Sequence, residues 1–193
     1  MAFNTVNYKL YPSLLNCYDR FEKGYLTEQE LIDRINRVPV PQTEAQQKGV
    51  SFEEAVIKGL NEETFDPVIL AQTRSLLPRP MLRTQFYCEY QLDNVLLYGY
   101  VDVLGKMFAA DIKTTSNYKP GNYEQNHQNF YLRALKAKGV RSLRYIITDF
   151  KEVYQEEYDH SVDLTKQELQ IKSFCEFLES HREAVTDRRI FGG

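Results

Sequence analysis

The stretch Val95–Thr115, VLLYGYVDVLGKMFAADIKTT, decides the fold. It reads as two short strands, 95–103 and 107–113, joined by a tight turn, and each carries one carboxylate. Leu97, Tyr98, Tyr100, Val101 and Val103 are apolar or β-prone around Asp102. Leu104-Gly105-Lys106 reverses the chain, Gly105 tolerating positive φ. On the return strand a period of two sets Asp111 and Lys113 on one face, Ala110 and Ile112 on the other. Paired, the strands bring Asp102 and Asp111 to one end of a sheet. Two carboxylates and an ammonium in otherwise apolar strands suit a hard cation with a water or a phosphate. An ordinary Asp–Lys ion pair at a partly exposed sheet end accounts for the same spacing.

Working outward, Thr84–Leu92 is the preceding strand, with Gln85, Tyr87, Glu89 and Gln91 on one face, and Asp93-Asn94 turns it into the strand bearing Asp102. The result is an antiparallel meander. A polar loop from Ser116 to Asn122 leads to a helix over 123–138, ended by Gly139, on which His127 and Tyr131 share a face and Gln128, Leu132 and Leu135 another. Ser142–Thr148 reads as a central strand and Lys151–Asp159 as an edge strand. A capping box near Thr165 and Glu168 starts a long helix to about Ala184.

Upstream, an extended segment opens at Phe3, and Pro12-Ser13 starts a helix carrying Leu14, Leu15, Tyr18 and Phe21. Thr27 and Glu30 form a capping box for a second helix with Leu31, Ile32 and Ile35, broken by Pro39 and Pro41. A third helix is expected from Ser51, its first turn holding Glu53 and Glu54 near free N–H groups, and a short one over 65–76. No internal repeat is visible.

The chain has 193 residues, enough for one domain with a substantial core. Fourteen Tyr and eleven Phe exclude a disordered class. No run approaches the about 18 apolar residues of a membrane span, and MAFNTVNYKLYP lacks a signal peptide's order. Three widely spaced cysteines, Cys17, Cys88 and Cys175, predict reduced thiols in a cytoplasmic protein, and no zinc or iron–sulfur cluster. The net charge of −3 is uneven: from Lys113 to Lys151 eight Lys/Arg face two Asp/Glu, leaving −9 for the rest. A basic tract beside an acidic pair attracts a polyanion towards a cation site, although solvated surfaces carry such charge equally well.

Gly99-Tyr100-Val101-Asp102, Asp111-Ile112-Lys113, Thr114-Thr115 and the helix that follows together resemble the PD-(D/E)XK nuclease superfamily, especially its RecB-like exonuclease branch. Gly49-Val50-Ser51-Phe52-Glu53 resembles the segment that brings a glutamate to the site, and Tyr11-Pro12-Ser13-Leu14-Leu15 the branch's opening. The downstream motif departs from the pattern: Gln128 stands three residues before Tyr131, where the family commonly has four.

The resemblance implies an α/β, restriction-endonuclease-like core, a central mixed sheet flanked by helices, in one domain over 1–193 with residues 1–48 as a helical cover. It implies Mg²⁺, with Mn²⁺ as a substitute, on Glu53 (or Glu54), Asp102, Asp111 and the Ile112 carbonyl, with Lys113 beside the attacking water and Gln128 and Tyr131 contacting substrate or bracing the site. DNA is the implied partner, its phosphates meeting Lys119, Arg133, Lys136, Arg141 and Arg144. The implied setting is the cytoplasm of a bacterium or phage-infected cell, with a homo-oligomer or a recombination or replication protein completing the assembly. A catalytically silent nucleic-acid-binding or assembly protein, and a soluble enzyme of another class, remain open readings of the same residues.

Overall fold

The structure, a computed structural model, describes residues 5–192. Residues 3 and 4 of the expected opening segment lie outside them. In chain order the main elements are β1 (Tyr8–Leu10), α1 (Pro12–Glu22), α2 (Glu28–Ile35), α3 (Glu44–Lys58), α4 (Pro67–Ser75), β2 (Arg83–Leu92), β3 (Val95–Leu104), β4 (Phe108–Thr114), α5 (Phe130–Leu135), β5 (Ser142–Thr148), β6 (Val153–Asp159) and α6 (Thr165–Ser180).

The strands form one mixed six-stranded sheet ordered β1-β3-β4-β5-β6, with β2 paired to β3. β1 and β3, and β4 and β5, run parallel, while the β2–β3, β3–β4 and β5–β6 pairs are antiparallel. Because β2 follows β3 along its whole length, β1 and β4 must share the other edge. β1 takes residues 95–97 and β4 takes 103–104. Between them the edge of β3 from 98 to 102 has no strand partner among the described residues, and this gap locates the site.

The alternation of β4 and β5 builds two cores. Ala109, Leu143, Tyr145 and Ile147 pack with Tyr131, Leu132 and Leu135 of α5 on one face. Ala110, Ile112 and Ile146 pack with Phe52, Ala55 and Val56 of α3 and Ile69 and Leu70 of α4 on the other. A third cluster joins β1, α1, α2 and α6 through Leu10, Leu14, Leu15, Leu31, Ile35, Phe174 and Leu178. The mixed α/β architecture is therefore a central sheet flanked by helices.

Three expected elements differ. α3 begins at Glu44, not at Ser51, because Thr43 and Gln46 form a complete capping box two turns earlier. Glu53 and Glu54 therefore lie beyond the first turn. Gly49 is tolerated inside α3 because a Cβ there would stand 2.7 Å from Thr114 Oγ1 of β4. Glu53, four residues on, shares that inward face.

The helix expected over 123–138 is a short α5 between 3₁₀ turns at His127–Asn129 and Lys136–Lys138. Residues 120–126 are held as turns: Glu156 accepts the N–H groups of Gly121 and Tyr123, and Asn129 donates to the carbonyls of Tyr123 and Glu124. α6 starts without a side-chain cap and stops at Ser180. The Thr165 hydroxyl donates back to Asp163 instead, so the expected capping box does not form.

Candidate active site

Asp102 interrupts the regularity of β3. Val101 packs on the α5 face and Val103, two residues on, packs on the α3 face, so the alternation slips at Asp102. Opposite it, Gln85 adopts φ 46 and drops out of the register between the Thr84–Val103 and Phe86–Val101 pairs. The carboxylate is thereby aimed along the sheet towards β4. Its Oδ2 accepts the Ile112 N–H at 2.7 Å, replacing a ladder bond where β3 and β4 separate.

Asp111, buried at 1% exposure, sits on the α5 face of β4. Gln128 Nε2 donates to its Oδ1 at 2.7 Å, and Lys113 Nζ stands 2.5 Å from its Oδ2, which has no other partner among the described residues. From the opposite face α3 delivers Glu53, whose Oε1 accepts from Gln85 Nε2 at 2.8 Å. The same Gln85 amide donates to Asp102 Oδ1 at 3.2 Å. Two faces of the sheet thus meet through the gap. Glu54 faces elsewhere, paired with Lys58 at 3.0 Å.

The electrostatics record the crowding. Burial, then the charges of Asp111 and Glu53, push Asp102 well above the usual carboxylate range. Burial and the Asp111 charge raise Glu53 as well. Burial opposes the Lys113 ammonium, yet Asp111 and Asp102 hold its pKa above the ordinary value. In this arrangement the neighbouring carboxylates favour the charged form of Lys113.

Gln128 and Tyr131 come together despite their irregular spacing. Gln128 lies in the 3₁₀ turn, where residues three apart eclipse, and it and Tyr131 line the same cleft. Tyr131 packs beneath Gly99, where a Cβ would stand closer to its hydroxyl than any real contact allows, and burial raises its pKa. His127 does not reach the site: it is fully buried, its Nδ1 against Asn16 Oδ1 at 2.9 Å.

The five expected phosphate contacts lie in the loop before α5, in and just after α5, and at the start of β5. Arg141 precedes β5, its N–H donating to the Met107 carbonyl, and Arg144 lies in β5 opposite Ala110, three residues before the Lys113 pair. Arg144 is engaged within the fold: it pairs with Glu157 at 2.8 Å, donates to the Leu76 carbonyl and stacks on Phe108. Lys119 and Lys136 are exposed and Arg133 is half-buried.

Gln85 is the residue that sequence reading missed as part of the site. The signal was present: counting outward from the two-residue turn at Asp93-Asn94 places Gln85 opposite Asp102.

Among the described residues, no three His, Cys, Asp or Glu side chains are gathered as a ready-made metal centre. The donor chemistry nevertheless fits a hard divalent cation in kind. Asp102 and Asp111 offer carboxylate oxygens, Glu53 is linked to them through Gln85, and the mutual repulsion of these groups is what a cation relieves.

No protein-family model matches the sequence, and no curated protein matches it either. Solved structures do. A candidate exonuclease from Eubacterium rectale superposes with a TM-score of 0.58 at 11% identity, over 93% of this chain and 83% of that one. LHK-Exo, solved in complex with dAMP, superposes with a TM-score of 0.53 at 15% identity, over 91% and 90%. At such identities the likeness concerns the fold. The chain has a mixed α/β, restriction-endonuclease-like architecture, a central mixed sheet flanked by helices.

Proposed function

We propose that this protein is a divalent-cation-dependent deoxyribonuclease that degrades DNA from its ends. One observation carries the reading: Asp102, Asp111 and Lys113 meet where β3 and β4 separate, with Glu53 joined to Asp102 by Gln85.

Asp102, Asp111, Glu53 and the Ile112 carbonyl would hold Mg²⁺, with Mn²⁺ as a substitute. The cation, when bound, lowers the pKa of a water and polarises the phosphate. Lys113, beside Asp111, supplies positive charge to phosphoryl oxygens as negative charge accumulates on them. Gln128 fixes the orientation of Asp111, and Tyr131, wedged under Gly99, lines the same cleft. Hydrolysis adds water to phosphorus and releases the 3′ oxygen. Similarity in fold to the candidate exonuclease and to LHK-Exo, the latter solved with a deoxynucleotide, favours DNA and ends. A second copy or a recombination or replication protein would complete a passage around one strand.

The test is cleavage of end-labelled linear and closed circular DNA with Mg²⁺ or Mn²⁺, beside EDTA and Lys113→Ala controls. Degradation of linear DNA alone, absent from both controls, is the expected result. Nicking of circles removes the end requirement. DNA binding with no turnover moves the protein to the silent binding class.

A further inference from the structure

We propose that the uncovered face of the β2–β3 hairpin is a stacking platform for unpaired DNA bases, leading a single strand into the candidate active site. The proposal rests on the nuclease reading and names the form of DNA that enters the site.

Tyr87 and Tyr100 are directly opposite in the hairpin register, their rings 5.5 Å apart and nearly perpendicular. Such a cross-strand pair stabilises a hairpin, but here the two residues remain 43% and 53% exposed. The helices covering this side of the sheet elsewhere, α3 and α4, pack on Val103, Ala110, Ile112 and Ile146 and leave the tyrosines open. Tyr98 continues the row at 6.5 Å from Tyr87, and Tyr11 adds a fourth ring 5.8 Å from Tyr98. Four aromatic rings therefore run from the unpaired edge of β3 to the start of α1.

The row opens onto the site. Tyr11, Tyr98 and Tyr100 line the same cleft of about 560 Å³ as Lys113 and Gln128. Tyr100 is two residues from Asp102, about 7 Å along the strand. Arg37 closes the far end, its guanidinium 5.2 Å above the Tyr11 ring and Nη2 3.2 Å from the Tyr98 hydroxyl. Each end of the aromatic row thus carries a cation held in an ion pair, Arg37 with Asp187 at 2.8 Å and Lys113 with Asp111 at 2.5 Å. On the outer side Glu89 accepts the Tyr87 hydroxyl at 2.6 Å, which repels phosphates there and turns the backbone towards Arg37 and Lys113. Every base presents a π-face, so stacking of this kind tolerates any sequence, but it requires bases freed from a duplex.

The test uses a single-stranded oligodeoxynucleotide carrying 2-aminopurine, and a blunt duplex of the same sequence, both titrated in EDTA. The full chain is expected to quench 2-aminopurine in the single strand and to bind it more tightly than the duplex. Tyr100→Ala and Tyr87→Ala, at half-exposed positions, are expected to weaken single-strand binding about ten-fold each, while Tyr100→Phe stays within about two-fold. Equal affinity for duplex, Ala variants that bind as the parent does, or a Phe variant as weak as Ala would each overturn the platform. Cleavage of linear DNA with Mg²⁺, measured in parallel, separates the two readings. Turnover with no tyrosine dependence of binding refutes the platform and keeps the nuclease. Tyrosine-dependent single-strand binding without turnover supports the platform and removes the nuclease.

Discussion

Asp102 finishes the pairing of β3 with β4 by using its side chain: Oδ2 accepts the Ile112 N–H at 2.7 Å, just beyond the last registered pair, Val103 with Ala110. One carboxylate thus has a structural bond on one oxygen while its other oxygen faces Gln85. The two duties can be separated by substitution. Asp102→Asn keeps an acceptor for Ile112 and removes the charge, whereas Asp102→Ala leaves a buried N–H without a partner. Asp102→Asn should therefore be more stable than Asp102→Ala by about 1–3 kcal/mol in urea unfolding. Both should lose DNA hydrolysis. Equal stabilities would mean that Ile112 finds another acceptor.

The contact between Gly99 and Tyr131 makes a second pair that a double-mutant cycle can read. A Cβ at position 99 would collide with the Tyr131 hydroxyl and lie 3.0 Å from Cε1. Gly99→Ala should destabilise by about 1–3 kcal/mol through overpacking. Tyr131→Phe removes the nearest atom, so the double variant should be less destabilised than the sum of the singles by about 0.5 kcal/mol or more. Strict additivity in the unfolding midpoints would refute the close approach.

His127 sets a pH dependence whose sign is fixed by its burial. Burial is the main cause that lowers its pKa from 6.5 to about 4, the charge of Asp19 opposing and those of Lys23 and Lys166 assisting. Below pH 6.5 the unfolded chain takes up a proton that the folded chain refuses, so stability falls as pH drops from 6.5 to about 4. The loss attributable to this residue is on the order of 3 kcal/mol. The raised carboxylates of Asp102 and Glu53 act in the opposite sense, since acid relieves their repulsion. Unfolding of the parent and His127→Gln at pH 7.5 and pH 4.5 isolates the histidine: the variant should lose less on acidification.

The sheet was legible where alternation is local. Strands 95–103 and 107–113, the turn at Asp93-Asn94 and the strand at 142–148 follow from β-prone residues and period two; the structure lengthens the first by one residue, moves the second by one and keeps the third. Asp111 and Lys113 on one face of β4 required only that period. The order β1-β3-β4-β5-β6 was not legible, because a parallel neighbour such as β1 is specified by packing far along the chain. The start of α3 was missed because Thr43-x-x-Gln46 is a capping box with no apolar run directly behind it. α5 was overextended because side chains of Asn129 and Glu156 hold residues 120–126 in turns that helical periodicity does not reveal. The slip at Asp102 is a defect in periodicity shared by two strands, visible only once Gln85 and Asp102 are set opposite one another.

Gln85 gives the sharpest separation of stability from function. A non-glycine residue at φ 46 in a strand is strained, and Gln85→Gly should relieve that by about 1 kcal/mol. The same change deletes the amide that links Glu53 at 2.8 Å and Asp102 at 3.2 Å. Without it the two carboxylates repel across the gap and the cation must assemble them unaided. Loss of a residue that orients metal-binding groups typically costs about 10–100-fold in metal affinity. Gln85→Gly should thus unfold at equal or higher urea than the parent while needing about ten-fold more Mg²⁺ for half-maximal DNA cleavage. Gln85→Asn, which tolerates the backbone but is too short to span both carboxylates, should show the same rise in Mg²⁺ requirement. An unchanged Mg²⁺ requirement in both variants would reduce Gln85 to a feature of hairpin geometry. A rise in both, with stability preserved, would establish that the strained backbone is retained to hold Glu53 against Asp102.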